Sequence, residues 1–162
     1  MIRIESLRDL IEIYDREVSQ LEREIHRQLK DDPGYRAIQE IPGVGPTLGA
    51  IFVAEIGDVT RFSSAEKLCS WAGLTPKHRE SDTKVIRGRV TKQGSKLVRW
   101  AAIEAISKNH AGTRLRADYQ RLAERRGKQK ARVAIARKLL VYVYYGLRDG
   151  VVRSLNPTGE AA

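Results

Sequence analysis

Apolar side chains recur every seven residues at the start of this chain. Ile4, Ile11, Val18 and Ile25 make one series, and Leu7, Tyr14, Leu21 and Gln28 make its companion. The steps alternate three and four, which is the seam of a coiled coil, so residues 1–32 are predicted to form a coiled-coil helix. β-branched residues in one series and mostly Leu or Tyr in the other favour a two-stranded, parallel pair. The functional reading is a homodimer through this helix; the alternative is a hairpin with another helix of the same chain. Glu12 and Arg16 stand one turn apart as a charge pair, and Asp31-Asp32-Pro33-Gly34 ends the helix.

The periodicity then shortens. Residues 35–40 read as a short helix, Ile41-Pro42-Gly43-Val44-Gly45-Pro46 as a sharp turn, and Thr47 to Ile56 as a second apolar helix closed by Gly57. Helix, hydrophobic-Pro-Gly-Val-Gly, helix over 35–57 is the helix-hairpin-helix pattern. Its glycines allow a tight turn. The turn aims backbone N–H groups of Gly43, Val44 and Gly45 outward at the positive end of the second helix, where they suit a DNA phosphate oxygen. Such a contact positions DNA without reading its sequence. A plain αα-turn with no ligand is the alternative.

Ser63-Ser64-Ala65-Glu66 reads as a capping box with Ser63 as N-cap, opening a helix that carries Leu68, Cys69 and Trp71 and stops at Gly73. Val85-Ile86 and Arg89-Val90-Thr91 suggest a small β-hairpin with Gly88 in its bend. Helices follow over about Ser95 to Asn109, with Ser95 as N-cap and Leu97, Val98, Ala101, Ala102, Ala105 and Ile106 as its buried stripe, and over 114–126, broken by Gly127. A last helix, about Lys128 to Leu147, begins basic and turns apolar, so it is expected to be the central core helix. Residues 151–162 read as a flexible tail. The fold class is mainly α: an N-terminal coiled-coil helix, then a helical domain over 33–150 with the helix-hairpin-helix and a small basic loop or β-hairpin.

Charge sharpens this picture. The chain of 162 residues carries a net charge of +10, unevenly spread. Residues 1–62 hold 8 Lys and Arg against 12 Asp and Glu; residues 63–162 hold 22 against 8. A basic half is what a phosphate-facing surface needs. Within it, Lys77, Arg79, Lys84, Arg87, Arg89, Lys92 and Lys96, with Arg99 just beyond, are candidate DNA contacts. Glu80, Ser81 and Asp82 sit among them, a composition suited to handling phosphodiesters. His78 is a candidate base and Thr91 a strand or phosphate contact. The single cysteine, Cys69, excludes an internal disulfide and a cysteine zinc site, and its neighbours suggest a buried, unreactive thiol. No metal site is expected in this chain. The N-terminus is charged from Arg3, unlike a signal peptide, and the longest apolar run, Leu139 to Tyr145, is too short to span a bilayer. A cytoplasmic protein without a membrane partner is expected.

The order of motifs is informative as a set: Ile41-Pro42-Gly43-Val44-Gly45-Pro46, Phe62-Ser63-Ser64, Leu68 to Pro76, Arg79-Glu80-Ser81, Thr91-Lys92-Gln93-Gly94 and Leu97-Val98-Arg99. It resembles the C-terminal domain of the insertion sequence family 110/116/902 transposases from about Arg36 to Leu147. The heptad helix resembles the coiled coil that joins the two halves in that family. The resemblance implies a serine nucleophile that attacks DNA and forms a covalent intermediate; by motif position it falls on Ser81. It also implies a structured guide RNA as partner, and Mg²⁺ held by four carboxylates of an RNase H-like domain that residues 1–162 do not contain. Many members have Ser-Ser-Gly where this chain has Glu80-Ser81-Asp82. The chain alone is therefore expected not to transpose, whether it is a truncated copy, a separated half or a short internal product. The alternative is a non-catalytic DNA- or RNA-binding module, or a regulator that pairs with a full-length transposase.

Overall fold

The computed structural model describes residues 2–81, 84–109, 111–153 and 155, with the backbone alone at 2–3, 77–81, 84–87 and 89. Among these residues are seven α-helices and one two-stranded sheet: α1 (Ile2–Leu29), α2 (Pro33–Gln39), α3 (Pro46–Ile56), α4 (Ala65–Trp71), β1 (Pro76–Ser81), β2 (Lys84–Val90), α5 (Lys96–Ser107), α6 (Arg114–Arg126) and α7 (Lys128–Asp149). The mainly helical class and the long N-terminal helix are as the periodicity predicts.

Local chemistry sets most boundaries. Asp32 caps α2, its carboxylate accepting from Tyr35 N–H at 2.7 Å, with Pro33 in the first helical position. Gly57 closes α3 and Gly127 ends α6. Ser95 caps α5 by accepting from Val98 N–H at 3.1 Å. Thr113 does the same for α6, accepting from Arg116 N–H at 3.2 Å. One cap is displaced by a residue: Ser64, not Ser63, stands at the N-cap of α4, and a hydrogen bond to its side chain helps hold the Glu66 carboxyl below its usual range.

The core forms around α7. Ile135, Ala136, Leu139, Leu140 and Val143 are buried there, and α7 packs against α2, α4, α5 and α6. Gly146 lets α2 approach: a Cβ there would lie 2.8 Å from Ile38 Cγ2. The chain does not come loose at residue 151 as expected. Val152 is 1% exposed and Leu155 packs against the core, while residues 156–162 lie outside the described residues.

α1 is different. Ile4, Leu7, Ile11, Tyr14, Val18 and Leu21 are each more than half exposed. Its described tie to the domain is at its C-terminal end, where Thr47 Oγ1 donates to Glu22 Oε1 at 2.9 Å. The hairpin with another helix of the same chain does not form along this stripe.

Candidate nucleic-acid interface

The glycine-rich turn between α2 and α3 lies against the C-terminal end of α5. Val44 N–H donates to the Ile41 carbonyl at 2.9 Å, and Val44 is buried. One of the three N–H groups predicted to face a phosphate is thus already used. Gly43 has φ +89°, and a Cβ there would sit 2.1 Å from the Ala105 carbonyl oxygen. Its glycine is required by helix-to-turn contact. Gly45 differs: it is exposed, a Cβ would meet nothing within 4 Å, and it precedes the first turn of α3 with no side-chain cap. Residues Ile41 to Gly45 line an open groove with Gln39, Glu40 and Lys108. Sequence reasoning missed Lys108, because only folding brings the end of α5 to this turn.

The other end of α5 anchors the β-hairpin. Thr91 N–H donates to the Thr75 carbonyl at 3.0 Å and Lys92 N–H to the Gly73 carbonyl at 3.2 Å. A Cβ at Gly94 would lie 1.6 Å from the Trp71 carbonyl oxygen, and one at Gly73 would lie 2.3 Å from that of Gln93. Two glycines with positive φ thus interlock the end of α4 with the start of α5. Ser95 Oγ also donates to Glu55 Oε2 at 2.7 Å, tying this junction to α3. Arg99, a predicted DNA contact, donates through Nη1 to the Ala72 carbonyl at 2.9 Å. Part of its guanidinium therefore braces the junction. The Thr91 hydroxyl is buried with no partner, so it does not present itself to a phosphate.

β1 and β2 are antiparallel, with Ser81 opposite Lys84, Glu80 opposite Val85, Arg79 opposite Ile86 and His78 opposite Arg87. The pairing therefore takes Gly88 out of the predicted bend, and Asp82 lies outside the described residues. Gly88 is within β2. From Pro76–Val90 to His78–Arg87 the register advances two residues on β1 and three on β2, so Gly88 lies in a bulge, a common place for glycine inside a strand.

This topology divides the predicted cations. Ser81 and Lys84 stand at the far end of the hairpin, Lys77, Arg79, Arg87 and Arg89 along its strands, and Lys92, Lys96 and Arg99 at its base. Strand geometry separates end from base by roughly 20 Å. The turn at Gly43–Gly45 lies at the opposite end of α5, about 18 Å along its axis. The outer face of α5 between them exposes Lys96, Leu97, Trp100, Ser107 and Lys108; Leu97, expected in the buried stripe, instead lies beside it on this face, 51% exposed. Trp100 is 50% exposed, and the sequence reading did not single it out. Glu104, on the same side, is balanced by Lys108 at 3.8 Å.

Cys69 is fully buried, its Sγ 3.5 Å from the Arg137 carbonyl oxygen. Burial pushes its thiol up to about 11, consistent with an unreactive core side chain. Among the described residues no three His, Cys, Asp or Glu side chains gather to hold a metal ion, and no helix is long and apolar enough to cross a membrane.

The sequence pattern of the transposase IS116/IS110/IS902 family matches residues 35–120, from the start of the glycine-turn unit through the hairpin and α5 into α6. The chain belongs to this family. It is 34% identical over 86 residues to the uncharacterized 44.8 kDa protein of insertion element IS116 in Streptomyces clavuligerus, covering 53% of this chain and 22% of that protein. To the 43.6 kDa protein of insertion element IS110 in Streptomyces coelicolor it is 30% identical over 133 residues, 80% of this chain and 33% of the relative. It is 32% identical over 150 residues to a pilin gene-inverting protein of Moraxella bovis, covering 87% of this chain and 46% of that protein. The chain thus spans between about a fifth and a half of these relatives.

Proposed function

We propose that this transposase-family chain is a DNA-docking and strand-attack unit that takes part in transposition or DNA inversion. The observation that carries the reading is the hairpin itself. Its backbone register sets Ser81 opposite Lys84 at the end of a strand pair rich in cations, and the family match runs through it. In this reading Ser81 Oγ gives up its proton and forms a bond to phosphorus. One ester P–O bond of the DNA strand breaks, and the departing sugar oxygen takes a proton. Lys84 and Arg79, which the register sets on the same face of the hairpin as Ser81, offset the extra negative charge on the phosphoryl oxygens. A serine hydroxyl needs a base or metal to activate it. The Mg²⁺ that the family resemblance implies would be held by a carboxylate domain outside residues 1–162. Gly45, Lys92, Lys96 and Lys108 hold DNA phosphates along α5, and a structured guide RNA selects the site.

The test joins the chain to the carboxylate domain of a family relative and follows strand transfer. Ser81→Ala is expected to abolish transfer and leave DNA binding unchanged; normal transfer by that variant would refute the assignment. The apolar stripe of α1 supports a second role, homodimerisation or mixed dimers with a full-length transposase. Subunit exchange with such a relative at micromolar concentration is the corresponding measurement.

A further inference from the structure

A separate concentration of charge lies outside the hairpin and the glycine turn. Residues 114–132 carry eight Lys and Arg against two acids. α6 and α7 fold back on each other at Gly127, so the densest part of this run gathers at one protruding tip. Residues 124–130 are all exposed, and the first buried side chain of α7 is Ala131. Arg125 and Arg126 end α6; Lys128, Lys130 and Arg132 begin α7. Among the described residues no salt bridge within 4.0 Å holds any of these five. The paired charges, Asp118 with Arg121 and Lys138, lie further down the arm.

The placement works against the helix. α7 starts with no acidic residue in its first turn and no side-chain cap. Lys128 and Lys130 instead stand at the positive end of its dipole, where cations are unfavourable. Lys128 and Arg132 are four residues apart, a like-charge pair on one face. Local stability accounts for Arg125 and Arg126 in the last turn of α6 but not for Lys128 and Lys130 beside them, whose charge an anion brought from outside would offset. The tip has no aromatic ring on which an unpaired base could stack. Its long cations are suited to a regular row of phosphates.

We propose that the α6–α7 tip is a second, sequence-independent clamp for duplex DNA. It would engage the phosphate backbone beside the segment held along α5. This deepens the function proposed above and rests on it.

The experiment measures binding of the whole chain to a random-sequence DNA duplex, and to a structured RNA of matching length, across a salt series. Replacing Arg125, Arg126, Lys128 and Lys130 together by Gln should flatten the DNA log–log slope by about 3.6, since each neutralised phosphate contributes ~0.9. The thermal midpoint should stay about level, because the first turn of α7 loses misplaced charge while the last turn of α6 loses favourable charge. Lys130→Gln alone, a minimal surface change, should flatten the slope by about 0.9. Parental slope and affinity in both variants would overturn the clamp while leaving the proposed function standing. Loss confined to RNA would overturn duplex DNA as its occupant. No DNA binding by the unsubstituted chain would overturn clamp and function together.

Discussion

α1 and α7 are the two longest helices, of 28 and 22 residues, and both carry enough apolar side chains to need a partner. α7 finds its partners inside the chain. α1 keeps its stripe in water along most of its length. Amphipathic periodicity therefore states that a surface must be covered, not by what. The stripe of α1 is also wider than the heptad seam, because Leu10 and Ile13 are each 47% exposed beside it. Exposed area on this scale marks an interaction surface rather than ordinary surface character.

The comparison is tested most strongly by matched truncations. Leu140→Ala, in the middle of α7 and fully buried, is expected to lower unfolding free energy by about 2–5 kcal/mol. Leu21→Ala, 63% exposed on α1, should cost less than ~0.5 kcal/mol in the monomer. Denaturant melts at low protein concentration measure both. Equal losses would mean that α1 is covered within the chain after all. The second test acts on association. Ile11→Lys places a charge in the α1 seam and should weaken self-association by roughly 100-fold or more, a cost of about 3 kcal/mol for an unpaired charge in an apolar seam. Sedimentation velocity over a dilution series reads it. A parent chain that stays monomeric at high concentration would assign the stripe to some other partner.

Much of the fold was legible because its signals are local. The cap at Ser95 and the stops at Gly57 and Gly127 act within a few residues, and the heptad needs only its own helix. What the sequence did not disclose depends on contacts between distant segments. Gly88 looks like a bend residue, but the register of β1 makes it a bulge. Gly43 looks like a phosphate cradle, yet the Ala105 carbonyl is what requires its missing Cβ. Arg99 reads as a DNA contact, and part of it braces Ala72. The cations of α6 and α7 were visible as charge, but their meeting at one tip depends on the reversal at Gly127. The candidate site was readable only as a list of cations around Ser81; their division between hairpin end and base required the strand pairing.

Cys69 probes the α7 side of the comparison without disturbing it. With its thiol pushed up to about 11 by burial, alkylation of the folded chain at pH 8 should be about 100-fold slower than in denaturant, from the thiolate fraction alone. The rate should track global unfolding, measured by mass spectrometry over a urea series. Fast labelling under native conditions would show that the α4–α7 contact opens locally.

The smallest expected effect concerns the base of the α6–α7 arm. Asp118 accepts hydrogen bonds from Lys138 and from Arg121, and these partners, Lys138 first, hold its carboxyl below its ordinary value of 3.8. A carboxyl that is more acidic when folded contributes stability above its unfolded value and loses it as pH falls through the folded one. The arm should thus be unaffected from neutral pH down to about pH 5 and weaken below roughly pH 4. Asp118→Asn should cost at most about 1 kcal/mol at pH 7, because one partner is largely in water, and should remove this part of the acid slope. Amide exchange of α6 residues between pH 3 and 5 resolves the change from the unfolding of the rest of the domain. An unaltered slope in the variant would place the arm's cohesion in Leu115, Tyr119 and Leu122 instead, making α6 dependent on the same apolar packing that already holds α7.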